Sequence, residues 1–149
     1  MKKSVLSMNI ILVDDDKDDQ AIFKQAFDDL YSGNDLLLFG DGYAALAHLN
    51  ITDIIPDIIF LDLNMPRLNG WELLEQIRKS QRYKFVTVAI YSTSSLESDI
   101  EKALTHGANV FITKPSSYPK LREIIGKVLV TNAQYMTSGL NKSTFIMSI

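Results

Sequence analysis

The sequence predicts a doubly wound α/β fold, in which five parallel strands are covered by helices on both faces. Short apolar runs alternate along the chain with longer segments whose apolar residues recur at helical spacing. The short runs are mostly continuous rather than alternating, as in strands buried on both faces of a parallel sheet. The right-handed rule for strand–helix–strand connections then favours a doubly wound sheet.

Composition limits the function classes. The chain has 149 residues, which suits one domain with a sizeable core, and 46% of them are hydrophobic. The net charge of −3 offers no basic field for nucleic acid, and the absence of cysteine excludes thiolate chemistry. Neither a signal peptide nor a membrane span is evident, so we expect a cytoplasmic protein.

Five apolar runs are predicted to be strands. Each is rich in Ile, Leu, Val or Phe and is followed by a polar, charged or glycine residue. The predicted strands are 9–13, 35–39, 57–61, 85–91 and 109–113.

Five segments between and after these runs have helical periodicity. Asp18 and Asp19 suit the first turn of a helix, and Gly107 stands where a left-handed C-cap belongs. The predicted helices are 18–31, 41–50, 70–79, 96–107 and 118–130.

Polar side chains follow four of the strands, and in a parallel sheet these strand ends share one edge. Asp14 and Asp15 follow the first strand, Asp62 the third, Ser92 the fourth and Lys114 the fifth. Ligands of doubly wound folds bind outside the carboxyl ends of the strands. Crowded carboxylates either take up protons or hold a cation, and oxygen ligands without Cys or His favour Mg²⁺.

The same inventory fits phosphoryl transfer. One carboxylate can attack phosphorus to give an acyl phosphate, while a metal, a lysine and a hydroxyl hold the phosphoryl oxygens. We therefore predict an aspartyl-phosphate site at this edge.

The chain resembles the receiver domains of two-component response regulators over residues 8–130. That resemblance implies a flavodoxin-like fold with strand order 2-1-3-4-5. The motifs that carry it are "VDD" with Asp14 and Asp15, "LDLNMPRLNG" with Asp62, the hydroxyl of Ser92, and "TKP" with Lys114.

The resemblance implies that Asp62 takes a phosphoryl group from a histidine kinase or a phosphotransfer protein. It implies that Asp15, Asp62 and the backbone carbonyl of Asn64 bind Mg²⁺ directly, while Asp14 acts largely through water. The domain would then signal through contact with a downstream target protein, without nucleic acid or membrane.

Three further residues receive roles from the resemblance. Ser92 would bond a phosphoryl oxygen and move toward it, Lys114 would pair with the phosphoryl group, and Phe111 stands at the switch-aromatic position. A cis peptide bond between Lys114 and Pro115 is also expected, because it would aim the lysine into the site. Coupling would be a population shift around the fourth strand and helix.

Simpler interpretations accompany these roles. The aspartates after the first strand can be helix caps, and Asp16, Asp18 and Asp19 are interpreted as helix-start charges rather than ligands. Spacing favours Ser92 over its hydroxyl neighbours Thr93 and Ser94. His48 and His106 are interpreted as surface residues, and Trp71 as a packing or partner contact.

Other classes of protein share part of the pattern. Hydrolases of the haloacid dehalogenase type use an aspartyl phosphate after the first strand in a D-x-D pattern, which Asp14 and Asp16 satisfy, but no late acidic pair follows Lys114. A degenerate receiver that acts only as a binding module is a second rival. A nucleotide-binding role lacks its glycine-rich motifs.

The predicted domain covers residues 1–130, and 131–149 form a tail without an output domain. The tail ends in "FIMSI", which would be an aggregation hazard if freely exposed. We expect the tail to pack on its own domain or on a second copy in a homodimer, with crystal contacts as the remaining alternative. Pairing with the edge of the fifth strand is one way to do so, and packing on the last two helices is another.

Overall fold

The computed structural model of the protein describes residues 8–30, 35–138 and 147–148. The strands are β1 (Asn9–Val13), β2 (Asp35–Phe39), β3 (Ile58–Leu61), β4 (Thr87–Ser92), β5 (Val110–Thr113) and β6 (Met147–Ser148). The helices are α1 (Lys17–Leu30), α2 (Gly42–Ile51), α3 (Gly70–Lys79), α4 (Glu97–Thr105) and α5 (Tyr118–Ser138). No helix within these residues is both long and apolar enough to cross a membrane.

One parallel sheet organises the fold. Its strand order is β2-β1-β3-β4-β5-β6, which confirms the predicted 2-1-3-4-5 arrangement and adds a short sixth strand. Val13, Leu61, Ile90 and Phe111 lie in one row across four strands. Because the strands are parallel and in this register, the residues that follow the row emerge at the same edge of the sheet.

The strands are buried because helices cover both faces of the sheet. Alternate strand residues point to opposite faces, so each face has its own apolar cluster. α1 and α5 cover one face, where Phe23 and Phe27 meet Leu121 and Ile125. The other face is covered by α2, α3 and α4, which contribute Leu49, Leu73, Leu74, Ile77 and Ala103.

The predicted start of the fourth strand is wrong by two residues. Phe85 lies in a turn before β4, in which the backbone N–H of Val86 donates to the carbonyl of Tyr83 (3.0 Å). The Phe85 side chain is 66% exposed. The apolar side chain of Phe85 favoured a strand in the sequence, but the backbone at this residue forms a turn and β4 begins at Thr87.

The last helix is longer than predicted, since α5 continues to Ser138 rather than ending at 130. No glycine or proline interrupts the sequence there. The extension is also packed, because Asn132 is fully buried and its Oδ1 accepts a hydrogen bond from the Thr87 hydroxyl (2.6 Å). The domain boundary at 130 stays a prediction, although it falls inside this helix.

Part of the tail lies on the outer edge of β5. Met147 and Ser148 form β6, which pairs in parallel with Val110 and Phe111. This is the edge pairing expected for a tail that packs on its own chain. The other three apolar residues of the "FIMSI" segment lie outside the described residues.

Arg78, near the end of α3, connects this helix to the loops that precede β4 and β5. Its guanidinium donates to the carbonyl oxygens of Gly107 (2.8 Å), Lys84 (3.0 Å) and Val86 (2.7 Å), and to Oδ1 of Asn109 (3.0 Å). Burial lowers the pKa of Arg78 to about 10. A β-carbon at Gly107 would lie 3.1 Å from the arginine side chain, and Gly107 has the positive φ of 106° expected of a C-cap.

We expect Arg78→Met to lower the free energy of unfolding by about 2–4 kcal/mol, because it leaves several carbonyl oxygens without a donor. Urea unfolding followed by circular dichroism measures the change. Lys79→Met is the matched control, since the neighbouring Lys79 is largely exposed in its ion pair with Glu75 and should change stability by less than about 0.5 kcal/mol. Equal effects of the two substitutions would contradict the role given to Arg78.

Candidate functional site

The predicted site residues emerge together at the carboxyl edge of the sheet. The backbone N–H of Asp14 donates to the carbonyl of Phe39 (3.0 Å), and that of Asp62 donates to Val13 (2.9 Å). The N–H of Lys114 donates to the carbonyl of Ser92 (2.7 Å). Each of these residues therefore extends the ladder of the sheet by one position, so its backbone is fixed by the neighbouring strand.

Three carboxylates meet at this edge. Oxygen atoms of Asp14, Asp15 and Asp62 all lie within 4.8 Å of one another. Asp14 is fully buried and Asp62 is 6% exposed, whereas Asp15 is open to solvent. The cluster therefore has two buried members and one that faces water.

Neighbouring backbone amides hold the two buried carboxylates in place. The N–H of Asp16 donates to Oδ1 of Asp14 (3.0 Å), and the N–H of Asn64 donates to Oδ1 of Asp62 (3.2 Å). Oδ2 of Asp14 is buried without a hydrogen bond of acceptable geometry among the described residues. It lies 3.0 Å from Nζ of Lys114, so its contact there is electrostatic rather than a directed hydrogen bond.

Lys114 reaches into the acidic cluster from the end of β5. Its Nζ lies 2.7 Å from Oδ2 of Asp19, 3.0 Å from Asp14 and 3.6 Å from Oδ2 of Asp62. The ammonium also stands 5.1 Å from the centre of the Tyr91 ring. One buried cation is thus shared by three carboxylates, and it lies nearest to Asp19.

Burial sets the charge balance of the site. Burial raises the pKa of Asp62 to about 6, against the lowering effect of Lys114 and with further raising by Asp14. Burial also raises the pKa of Asp14 above its usual range. Burial disfavours the charge of Lys114, but the hydrogen bond to Asp19, the close contact with Asp14 and the charge of Asp62 outweigh it and raise the pKa of Lys114.

This donor set fits a divalent cation. The three clustered side chains offer only oxygen ligands, which hard cations prefer. The buried Asp14 Oδ2 has an unused acceptor position, and carboxylates at this separation repel unless a positive charge lies between them. The residues present therefore suit such an ion.

The loop after β3 is held against the site by a close backbone approach at Gly70. The N–H of Gly70 donates to the carbonyl of Leu63 (3.1 Å). A β-carbon at Gly70 would lie 2.3 Å from the carbonyl oxygen of Asp62, so no larger residue fits there. Asn69 then caps α3 reciprocally with Glu72. This close approach explains why the loop that follows β3 and Asp62 is closed with glycine.

Ser92 and Phe111 lie on the two neighbouring strands and are both fully buried. The hydroxyl of Ser92 accepts a hydrogen bond from the N–H of Ser94 (3.1 Å), whereas Thr93 is exposed. Phe111 packs in the cluster beneath α2, α3 and α4. The structure therefore brings Ser92 to the same edge as the acidic cluster, and Phe111 lies on β5 opposite Ile90, two residues before Ser92.

Asp19 is the site residue that sequence reasoning missed. The sequence predicts a helix-start charge at this position, and Asp19 does lie in the first turn of α1, where Oδ1 of Asp16 accepts its backbone N–H (3.0 Å). Its side chain nevertheless faces the sheet edge and accepts from Lys114. A position four residues after Asp15, one helical turn away, is the signal that could have found it.

The expected cis peptide bond at Pro115 is wrong, since the bond between Lys114 and Pro115 is trans. The long lysine side chain reaches the acidic cluster from a trans backbone, so no inverted turn is required.

The two predicted surface histidines and Trp71, predicted as a packing or partner contact, lie outside the acidic cluster. His106 is exposed, and His48 is partly covered by Phe39. Trp71 packs partly on the core, and the ammonium of Lys102 stands 4.2 Å from its ring centre.

A family model and a curated relative both match this chain and point to the same family. Residues 10–126 match the model of the response regulator receiver domain. The chemotaxis protein CheY1 of Helicobacter pylori is 29% identical over 84% of this chain and 99% of its own length.

Solved structures agree with that match. The phosphorylated cyanobacterial phytochrome response regulator RcpA aligns with a TM-score of 0.76 and 28% identity, covering 89% of this chain and 96% of its own. The Mn²⁺-bound form of the response regulator Rcp1 aligns with a TM-score of 0.72 and 27% identity, covering 81% and 91%.

We expect Asp62→Asn to stabilise the metal-free protein at neutral pH by about 1–3 kcal/mol. The folded state binds the Asp62 proton more tightly than the unfolded state, because the pKa of Asp62 is raised to about 6. Ionisation therefore costs wild-type stability as the pH rises through the interval from about 4 to about 6, and asparagine avoids that cost. The gain should be complete at pH 7.5 and largely absent at pH 4.

Urea unfolding in EDTA at both pH values measures this difference. Asp53→Asn is the matched control, because Asp53 is exposed and precedes β3, whereas Asp62 follows it, and the substitution should leave stability nearly unchanged. A variant at Asp62 that is less stable than wild type at pH 7.5 would show that the carboxylate is not a source of electrostatic strain.

Proposed function

Because this chain belongs to the response regulator receiver domain family, we propose that Asp62 is its phosphoryl-accepting residue. The observation that carries the assignment is the placement of Asp62 within the acidic cluster, with its Oδ2 3.6 Å from the ammonium of Lys114. As a receiver domain, the protein acts in phosphorelay signalling. The phosphorylated form of RcpA supports the same chemistry for a structural relative.

The proposed transfer begins with a phosphohistidine of a histidine kinase or phosphotransfer protein. A carboxylate oxygen of Asp62 attacks phosphorus, so that a P–O bond forms as the P–N bond breaks. The imidazole leaves with the electron pair of that bond and takes a proton from solvent. Hydrolysis later returns Asp62 to its carboxylate form when water attacks phosphorus and inorganic phosphate departs.

The surrounding residues hold the phosphoryl oxygens and orient the acceptor. Lys114 donates to one oxygen of the transferred group, and the Ser92 hydroxyl donates to another. The N–H of Asn64 already fixes the orientation of the Asp62 carboxylate. These groups catalyse only the domain's own phosphorylation and dephosphorylation.

We propose Mg²⁺ as the resident cation, held by Asp15, Asp62 and the carbonyl of Asn64, with Asp14 acting through water. When bound, the ion would offset the charge of the incoming phosphoryl group. Asp15 suits a direct ligand because it is the solvent-facing member of the cluster. The Mn²⁺-bound form of Rcp1 supports a divalent cation at such a site.

The proposed output is contact with a downstream target protein in the cytoplasm. Ser92 ends β4, and the buried Phe111 of β5 pairs with Ile90, two residues before Ser92, so a shift of Ser92 toward a phosphoryl oxygen would alter the packing around this ring. A two-state rearrangement of β4 and α4 would carry the change to the surface. Homodimers remain an alternative form of the output contact.

A hydrolase of the haloacid dehalogenase type would use Asp14 instead. The position of Asp14 speaks against this, because its Oδ1 accepts from the Asp16 amide and its Oδ2 is buried against Lys114. Asp62 is the less enclosed of the two buried carboxylates.

We expect acetyl phosphate and Mg²⁺ to label Asp62, giving a hydroxylamine-sensitive acyl phosphate that mass spectrometry locates after borohydride reduction. Asp62→Asn should abolish labelling, while Asp53→Asn, an exposed carboxylate outside the site, should label like wild type. Label on Asp14 would favour the hydrolase, and undiminished labelling of the Asp62 variant would refute the assignment.

We expect Asp15→Asn to weaken Mg²⁺ binding at least about tenfold, because a direct anionic ligand is lost. Isothermal titration calorimetry on the unphosphorylated protein measures this. Asp18→Asn is the control for loss of one nearby charge, since Asp18 lies outside the acidic cluster. The ligand assignment fails if the two variants bind Mg²⁺ with the same affinity.

A further inference from the structure

The ammonium of Lys114 has a nearer partner than the proposed phosphoryl acceptor. Asp19 Oδ2 accepts its hydrogen bond at 2.7 Å, whereas Asp62 Oδ2 lies 3.6 Å away, beyond hydrogen-bond length. Asp19 reaches the lysine from the first turn of α1, whereas Asp62 follows the end of β3. In this state Lys114 is therefore held toward α1.

The two close partners of Lys114 differ in how readily they could release it. The Asp14 side chain is fully buried, so water cannot replace the lysine there. The Asp19 side chain is 32% exposed and borders solvent. Water can hydrate Asp19 once the lysine leaves, so the pair with Asp19 is the one that can break at least cost.

We propose that Asp19 is a positioning residue, which retains Lys114 on the α1 side of the site and competes for it with a phosphoryl group on Asp62. The inference rests on the proposed function of Asp62. It assigns to Asp19 a part in setting how favourably the phosphorylated form is populated.

The direction of the effect follows from charge. A phosphoryl group on Asp62 adds negative charge on the side of the cluster that Lys114 reaches least closely. To donate to a phosphoryl oxygen, Lys114 must move toward Asp62, which lengthens its short bond to Asp19, and that weakening opposes phosphorylation. Asparagine at position 19 can still accept a hydrogen bond, but it lacks the charge that makes Asp19 an effective competitor.

Beryllofluoride with Mg²⁺ provides an equilibrium test, because it mimics a phosphoryl group on a carboxylate without covalent turnover. We expect Asp19→Asn to bind beryllofluoride about threefold to tenfold more tightly than wild type in a ¹⁹F NMR titration. Asp18→Asn is the matched control, because it removes the same charge from the same helical turn and forms no ion pair with the described part of the chain. It should change the affinity by less than about twofold.

A double-mutant cycle separates competition for the lysine from a general loss of repulsion. In a Lys114→Met background, Asp19→Asn should change beryllofluoride affinity by less than about twofold, because the shared ammonium is gone. An effect of Asp19→Asn that persists at full size in this background would overturn the inference, since it would not act through Lys114.

The outcomes distinguish the inference from the function on which it rests. If wild type fails to bind beryllofluoride, or if Asp62→Asn binds it equally well, both the proposed function and the inference fall. If binding depends on Asp62 but Asp19→Asn binds no better than Asp18→Asn, or binds more weakly, the proposed function stands and the inference is overturned.

Discussion

The site depends on one ammonium group among too many carboxylates. The ammonium of Lys114 lies within 3.6 Å of carboxylate oxygens of Asp14, Asp19 and Asp62. Asp14 and Asp62 are buried from solvent. Without that positive charge, the buried carboxylates would repel one another with little water to screen them. Three carboxylates share this one ammonium, and burial raises the pKa of Asp62 to about 6 even beside it, so the compensation by the lysine is incomplete. This residual negative charge is what makes the edge receptive to a cation.

The fold concentrates these charges because its strands are parallel and share one register. Four strands are aligned at the row formed by Val13, Leu61, Ile90 and Phe111. The residues that follow this row therefore all lie at the carboxyl edge of the sheet. The two apolar clusters on either side of the sheet keep the strands from separating in response to the repulsion. The free energy gained by packing these apolar clusters therefore offsets the electrostatic repulsion among the carboxylates at the site.

Strand-end residues were predictable because position along a parallel strand determines position at the edge. Asp14, Asp62 and Lys114 were found in this way, and the structure brings them together. Asp19 was not found, because the direction of its side chain depends on how α1 rotates against the sheet, which periodicity does not fix. The extension of α5 was missed for a related reason: its polar sequence gives a weak helical signal, and the burial of Asn132 against Thr87 is visible only in three dimensions.

The fourth strand is anchored unequally along its length. At its amino end, the Thr87 hydroxyl donates to Asn132 and the Val88 N–H donates to Asn109. Arg78 holds both Asn109 and the carbonyl of Val86, so this end is joined to α3, α5 and the loop before β5. Because these hydrogen bonds fix the amino end of β4, the strand cannot slide along its axis, but its carboxyl end can still move sideways. A pull on Ser92 is therefore expected to swing the tip of β4 sideways toward β3 or β5, and the displacement should fade within a few residues of the clamp.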